Sequence, residues 1–303
     1  MKRKQVAIKI SDYSLKNCIQ EFIDDCSIRN LSSDTLSNYM HTLSYFIDYT
    51  GNKSMEDVSQ RDINDFTRYM RKKGNTDSTI ATRLSILKIF FNSRGITFDY
   101  PPIKNKAPQK VPYTKDELQL LLAPPKRQTF TEYRNWCIAN LLYSTGCRSS
   151  SCANLKIKDI DFINNTIYFS KSKGDKPYYV PLGSELKRVL KKYLSIYQHE
   201  DDDYLFITIY GDQLKRESMK LAMINYNKSR GVARTSMHLY RHTFAVDYLR
   251  SGGNIMYLKT IMNHHDIRIT QKYLNIDIED VKSNFDDYCP LNNMKRKAIK
   301  LNI

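Results

Sequence analysis

The chain has 303 residues, with 48 Lys plus Arg against 32 Asp plus Glu and a formal net charge of +16. That length suits two ordinary domains, each with its own core, and so large a basic excess points to a long polyanion, with a membrane surface as the weaker rival. The excess is distributed, +6 through Pro112 and +10 after it, which excludes a partner gripped by one basic tail alone.

Four amphipathic helices are predicted first. Leu15, Cys18, Ile19, Phe22, Ile23 and Cys26 form one helical stripe, and Leu36, Tyr39, Met40, Leu43, Phe46 and Ile47 form the next, which Gly51 stops. A third carries Ile63, Phe66, Tyr69 and Met70 up to Gly74, and a fourth carries Ile80, Leu84, Leu87, Phe90 and Phe91 up to Gly95. Together they predict a helical bundle over residues 11–98.

The stretch ITFDYPPIKNKAPQKVPY has no helical or strand period, so residues 99–112 read as an interdomain linker. Its Lys104, Lys106 and Lys110 either lie along phosphates or stay solvated. Thr114-Lys115-Asp116-Glu117 is a capping box that opens a second domain, expected over 113–303, and a helix over Trp136 to Tyr143 leads into STGCRSSSCANL. In IDFINNTIYFSKSKGDKPYYVPL, β-branched and aromatic runs are punctuated by Asn164-Asn165 and by Lys173-Gly174-Asp175-Lys176, the pattern of a small antiparallel sheet. Helical patterns resume near Ser184, run to about Asp287 and give way to the basic tail NMKRKAIKLNI. The expected fold class is mainly α with a small antiparallel β-sheet (α+β).

Several chemistries are disfavoured. No G-x-x-x-x-G-K-[ST] loop is present for nucleotide hydrolysis, and the acidic run Glu200-Asp201-Asp202-Asp203 reads as a solvated loop rather than a two-metal centre. Six cysteines without a C-x-x-C predict neither disulfides nor cysteine-bound zinc. No run of about 18 apolar residues exists, and MKRKQVAIKISDYS lacks the apolar core of a secretion signal, so a cytoplasmic protein is expected.

HLYRH, residues 238–242, is the ambiguous motif. His238 and His242 could share a metal at i and i+4, whereas His238 and Arg241 at i and i+3 suit an anionic oxygen. The motif lacks the glutamate of H-E-x-x-H, and an adjacent guanidinium would repel zinc. The phosphate reading gains from MNHHDIRITQKYLN, where His264 is followed by Tyr273, with Arg268 and Lys272 nearby. A phenol needs a base or a positive field to attack, and Arg148, Arg241, Lys173 and the histidines could supply one. Taken singly, each of these residues also fits a cap, a solvated hairpin or a core position.

TGCRSSSCANLKIKDID, KSKGDKPYYVPL, HLYRHTFAVDYLRSGG and IMNHHDIRITQKYL follow in an order and spacing that resembles the tyrosine recombinase, or phage integrase, family. The resemblance covers about Tyr113 to Asp287, and the preceding bundle matches that family's core-binding domain in size and place. It implies that Arg148 and Arg241 hold the scissile phosphate, Lys173 protonates the departing 5′ oxygen, His238 is the acid/base partner, His264 hydrogen-bonds the phosphate and Tyr273 attacks. His242 and His265 then read as neighbours. Neither a metal nor another cofactor is implied.

Two positions depart from the family pattern. Asn263 stands where Gly is common, and Ser151 where an acidic residue is common. The resemblance further implies a clamp on double-stranded DNA, with four protomers exchanging strands through a Holliday junction. Residues 276–303, with Ile276, Ile278, Val281 and Phe285, are expected to dock on a neighbouring protomer. About ten residues before the first helix predict a simple, Xer-like protein without an arm-binding domain, associated with the nucleoid and served by an accessory DNA-bending or directionality protein. The rival readings are a catalytically silent DNA-binding relative, a type IB topoisomerase or telomere resolvase, and, more remotely, a zinc-dependent nuclease.

Overall fold

Short polar residues begin the helices of the first unit by accepting the backbone N–H groups that a helix start leaves unpaired. Ser14 opens α1 (Leu15–Ile28), Ser32 opens α2 (Ser33–Thr50) and Thr76 opens α4 (Asp77–Ser93) in this way. At α3 (Gln60–Lys72) the Asp62 carboxylate accepts from both the Ser59 N–H and its hydroxyl, at 2.7 and 2.8 Å, and also meets Lys53 at 2.7 Å. The computed structural model describes residues 13–103, 110–170 and 177–273. It divides the chain into two compact units, Met1–Gln109 and Lys110–Ile303.

The stripes expected from the sequence converge on one core in the first unit. Leu15, Phe22, Leu43, Phe46, Ile63, Phe66, Leu87 and Phe90 are all buried. The rings meet edge to face, with Phe46 and Phe66 5.1 Å apart and Phe22 and Phe90 5.4 Å apart, an arrangement that adds to the burial of their area. Phe98, Tyr100 and Ile103 pack against the same core, and the Gln60 amide clasps Asp99 by accepting from its N–H (2.8 Å) and donating to its carbonyl (2.7 Å). At the other end of the linker segment, Val111 and Pro112 present their carbonyls to Arg234 of the second unit.

The second unit is helical around a three-stranded antiparallel sheet. Its elements are α5 (Lys115–Leu122), α6 (Phe130–Thr145), α7 (Ser149–Ala153), β1 (Ile160–Asp161), β2 (Thr166–Phe169), β3 (Tyr178–Pro181), α8 (Ser184–Leu194), α9 (Arg216–Ser229), α10 (Met237–Arg250), α11 (Ile255–Ile261) and α12 (Ile267–Gln271). The mainly helical α+β expectation therefore holds. Ile167 opposes Val180 and Phe169 opposes Tyr178, so the alternation of the two strands turns these four residues inward.

α6 is longer than the Trp136–Tyr143 segment expected from sequence. It is buried along most of its faces, which erases the amphipathic stripe by which a surface helix is recognised. Even Arg134 is buried, its guanidinium donating to the Ile207 carbonyl at 2.8 Å. Residues 204–214 form a loop with two isolated bridges, interrupting the helical run read from Ser184 onward. Lys173 and residues 276–303, the predicted hairpin lysine and docking segment, lie outside the described residues, as does Cys289.

α6 ends on Gly146, whose φ of +59° lies in the left-handed region that closes a helix, with its N–H on the Leu142 carbonyl. A β-carbon there would stand 2.3 Å from the Phe244 ring. Gly146→Ala is therefore expected to cost about 2 kcal/mol or more of stability in urea unfolding. In a Phe244→Ala background the same substitution should cost less, because only the backbone penalty remains; equal costs in the two backgrounds would rule out the ring contact as a cause.

Candidate active site

The Gly146 turn matters because the chain leaves it at Cys147 and Arg148, the residue before α7. α10 brings Arg241 up beside this turn. The Arg241 side chain is 2 % exposed, and its guanidinium donates to the Gly146 carbonyl at 2.5 Å and the Met262 carbonyl at 2.9 Å. Arg148 donates to the next carbonyl, that of Asn263, at 3.2 Å. Successive carbonyls of one turn thus hold two arginines side by side. Burial is the largest cause lowering the Arg241 pKa, and the Arg148 charge is the next.

The turn that supplies these carbonyls requires Asn263 at φ +49°, a conformation Asn accepts more readily than most residues. Asn in place of the more common Gly is thereby accommodated. His264, 7 % exposed, follows directly: its Nε2 lies 2.7 Å from Arg241 Nη2 and its Nδ1 lies 2.9 Å from the buried Thr270 hydroxyl. Because the guanidinium can only donate, Nε2 accepts and Nδ1 carries the proton toward Thr270. In this state His264 orients Arg241, and its Nε2 lone pair is already engaged.

Tyr273 lies against the same group. Its ring is stacked on His264 at 6.4 Å with planes 8° apart and tilts toward His242 at 5.4 Å. Its apolar body packs on a small cluster of Ala245, Leu258 and Met262. Burial raises the Tyr273 pKa, while the Arg241 and Arg148 guanidiniums pull the other way. The phenol is protonated at neutral pH and must surrender its proton to attack.

His238 stands on α10 one turn before Arg241. The residue is solvent-accessible, yet partial burial of its ring, then the charges of Lys110, Arg241, His242 and Arg148, push its pKa from 6.5 down to about 4. Its ring is therefore neutral and basic at physiological pH. The same surrounding cations disfavour a metal ion shared with His242, whose Nε2 instead donates to the Lys110 carbonyl at 2.6 Å. His265 is exposed, and Arg268 pairs with Asp266 at 2.5 Å.

The described candidates from the sequence, Arg148, His238, Arg241, His264 and Tyr273, thus gather in one unit; Lys173 lies outside the described residues. Sequence reasoning missed Thr270 and the Gly146, Met262 and Asn263 carbonyls. Backbone acceptors leave no residue-type signal, and Thr270 is one of many threonines. Ser151, 2 % exposed, brings a neutral hydroxyl where an acidic residue is common. Neither it nor the nearby Tyr178 hydroxyl has a hydrogen-bond partner among the described residues.

Two arginines, two histidines and a tyrosine on a helical domain with a small sheet define a DNA strand-cleaving and rejoining enzyme of the tyrosine recombinase class. Residues 113–300 match the phage integrase family, and residues 18–94 match the N-terminal SAM-like domain of phage integrases. The chain belongs to the phage integrase family. It is 28 % identical to tyrosine recombinase XerD of Oceanobacillus iheyensis over 296 residues, 91 % of this chain and 99 % of that protein. It is 30 % identical to tyrosine recombinase XerC of Thermodesulfovibrio yellowstonii over 279 residues, 86 % and 91 % of the two chains.

Among solved structures, the Tn1549 transposon integrase in complex with transposon right end DNA aligns with a TM-score of 0.73 at 19 % identity, covering 90 % of this chain and 99 % of that one. A lambda integrase tetramer bound to a Holliday junction aligns with a TM-score of 0.73 at 16 % identity, covering 89 % and 82 %. These two likenesses are of fold. Among the described residues, no helix is long and apolar enough to cross a membrane.

The His238 environment sets a pH dependence. With its folded pKa lowered from 6.5 to about 4, the unfolded chain binds the proton first as pH falls. The stability contributed by the neutral ring is full above about pH 6.5 and is lost as pH falls toward 4. His242 is lowered too, chiefly by burial, and acts in the same direction. Melting temperature should therefore fall through this window, and less steeply in His238→Asn; identical slopes would remove His238 as a source.

Proposed function

We propose that this protein is a site-specific DNA recombinase that breaks and rejoins strands through Tyr273. The observation that carries the reading is the grouping of Arg148, Arg241 and His264 about Tyr273, with His238 one turn before Arg241 on α10. Tyr273 Oη attacks the scissile phosphorus and its proton passes to His238. The bond to the 5′ oxygen breaks as Lys173 protonates that departing oxygen, leaving a 3′-phosphotyrosyl link and a free 5′ hydroxyl. Arg148 and Arg241 bind the non-bridging oxygens, where charge accumulates in the transition state.

The electrostatics support this assignment. Before DNA binds, the cations keep His238 weakly basic; a phosphate brought among them adds a negative charge that raises its affinity for a proton. Substrate binding thus strengthens the base when it is needed. In the engaged state His264 either continues to orient Arg241 or takes up a second proton and donates to the phosphate from Nε2. The covalent product conserves a phosphoester, so a hydroxyl from a second strand can reverse the attack and join a new partner.

The same reading takes double-stranded recombination sites as substrate, with both units contacting DNA and with four copies exchanging strands through a Holliday junction. Residues 276–303 dock between protomers in this scheme, and an accessory DNA-bending or directionality protein acts with the tetramer in the nucleoid. The test of the chemistry is a denaturing gel of the protein with nicked duplexes tiling the DNA that flanks its own gene, in the presence of a chelator. A covalent adduct is expected from the natural chain and none from Tyr273→Phe, while Arg241→Ala should slow its formation about 100-fold or more. Specific binding without any adduct would favour the catalytically silent reading, and relaxation without exchange would favour a topoisomerase.

A further inference from the structure

The chain entering the second unit is fastened to α10 and to the segment before it at four successive residues. The Lys110 carbonyl accepts from His242 Nε2 at 2.6 Å, and the Val111 and Pro112 carbonyls both accept from Arg234 at 2.9 Å. The Tyr113 N–H then donates to Thr243 Oγ1 at 2.9 Å, and its hydroxyl donates to the Arg234 carbonyl at 3.1 Å. Arg234 is itself fixed by Glu117. A solvated tether would leave its carbonyls to water, so this many protein donors on one short stretch mark a built feature.

His242 and Thr243 directly follow Arg241 on α10, so the stretch is held on the helix that presents His238 and Arg241 to the phosphate. The first of its residues is a lysine. We propose that Lys110 is a further phosphate-binding cation of this active site, and that His242 is the positioning residue that holds it there. The inference rests on the recombinase reading of the site. It also gives His242 a task distinct from catalysis: one edge of its ring is bound to the Lys110 carbonyl, and the ring lies 5.4 Å from that of Tyr273.

The charge distribution agrees with this placement. Of the charged groups acting on His238, Lys110 ranks ahead of Arg241, although Arg241 stands only one helical turn away on α10. Lys110 also acts on His242. Its carbonyl is bound to His242, the residue after Arg241, and its exposed side chain can reach toward an incoming phosphodiester. The cation comes from the proline- and lysine-rich segment that joins the two units, so a substitution in that segment can alter the chemistry without touching a residue of the motif set.

The test separates charge from fastening. Lys110→Gln removes the ammonium but keeps the carbonyl on His242; His242→Ala releases the carbonyl but keeps the ammonium; Lys110→Arg keeps both. In DNA-free full-length protein carrying carbon-13-labelled histidine, the His238 titration midpoint should rise in Lys110→Gln and in His242→Ala and stay low in Lys110→Arg. On a nicked duplex cut by the natural chain, the first two variants should form the covalent adduct roughly three- to tenfold more slowly, the effect of one partly solvated charge, with Lys110→Arg near the natural rate. An unmoved midpoint in Lys110→Gln overturns the proposal, as does a midpoint that rises with no change in cleavage, or Lys110→Arg and Lys110→Gln slowed alike. If the natural chain forms no adduct on any duplex, the recombinase reading falls, and the titration alone decides whether Lys110 stands in the field of His238.

Discussion

The buried guanidinium of Arg241 is the constraint on which the second unit turns. A charge taken out of water costs several kcal/mol unless strong partners replace its hydration. Among the described residues those partners are two main-chain carbonyls and a histidine nitrogen, with no carboxylate. Dipoles satisfy the N–H groups without cancelling the charge. Gly146 at the end of α6, Met262 after α11 and the ring of His264 must all stand in place for the cation to be tolerated. Three separate segments are thereby locked around a positive charge that remains available to an anion.

The protonation states of the neighbours follow from burial first and from the surrounding cations second. A carboxylate beside Arg241 would have neutralised the site and raised the affinity of His238 for its proton. Burial of its ring, then the charges of Lys110, Arg241, His242 and Arg148, lower His238 to about 4, so it rests as a free base, while Tyr273 feels burial and attraction in opposite directions. On the proposed recombinase reading, a phosphate brought among these cations raises the affinity of His238 for a proton, which couples binding to chemistry.

Much of this was legible in the residues. Helix periods placed the core of the first unit nearly residue by residue, because its four helices each expose one face to water and so keep their stripes. That Arg148, His238, Arg241, His264 and Tyr273 would share one unit was expected from the order of the four motifs, which resembles the tyrosine recombinase family. What could not be read shares one physical cause: main-chain atoms carry no residue identity. The carbonyls that hold the arginines, and the one by which His242 holds Lys110, belong to Gly146, Met262, Asn263 and Lys110, yet any residue able to adopt the same backbone would offer the same oxygen. Burial on all sides concealed the length of α6 for a related reason, since a helix without a wet face has no contrast to display.

The two departures from the family pattern are not equivalent in this light. Asn263 alters a side chain at a position whose contribution is its φ and its carbonyl oxygen, and both are retained. Ser151 alters charge at a position beside the guanidiniums, and there the side chain is what counts. Its hydroxyl is buried close to that of Tyr178. A carboxylate at Ser151 would have put a negative charge beside Arg148 and drained the field that keeps His238 neutral. The neutral hydroxyl brings no such charge and leaves the positive field intact.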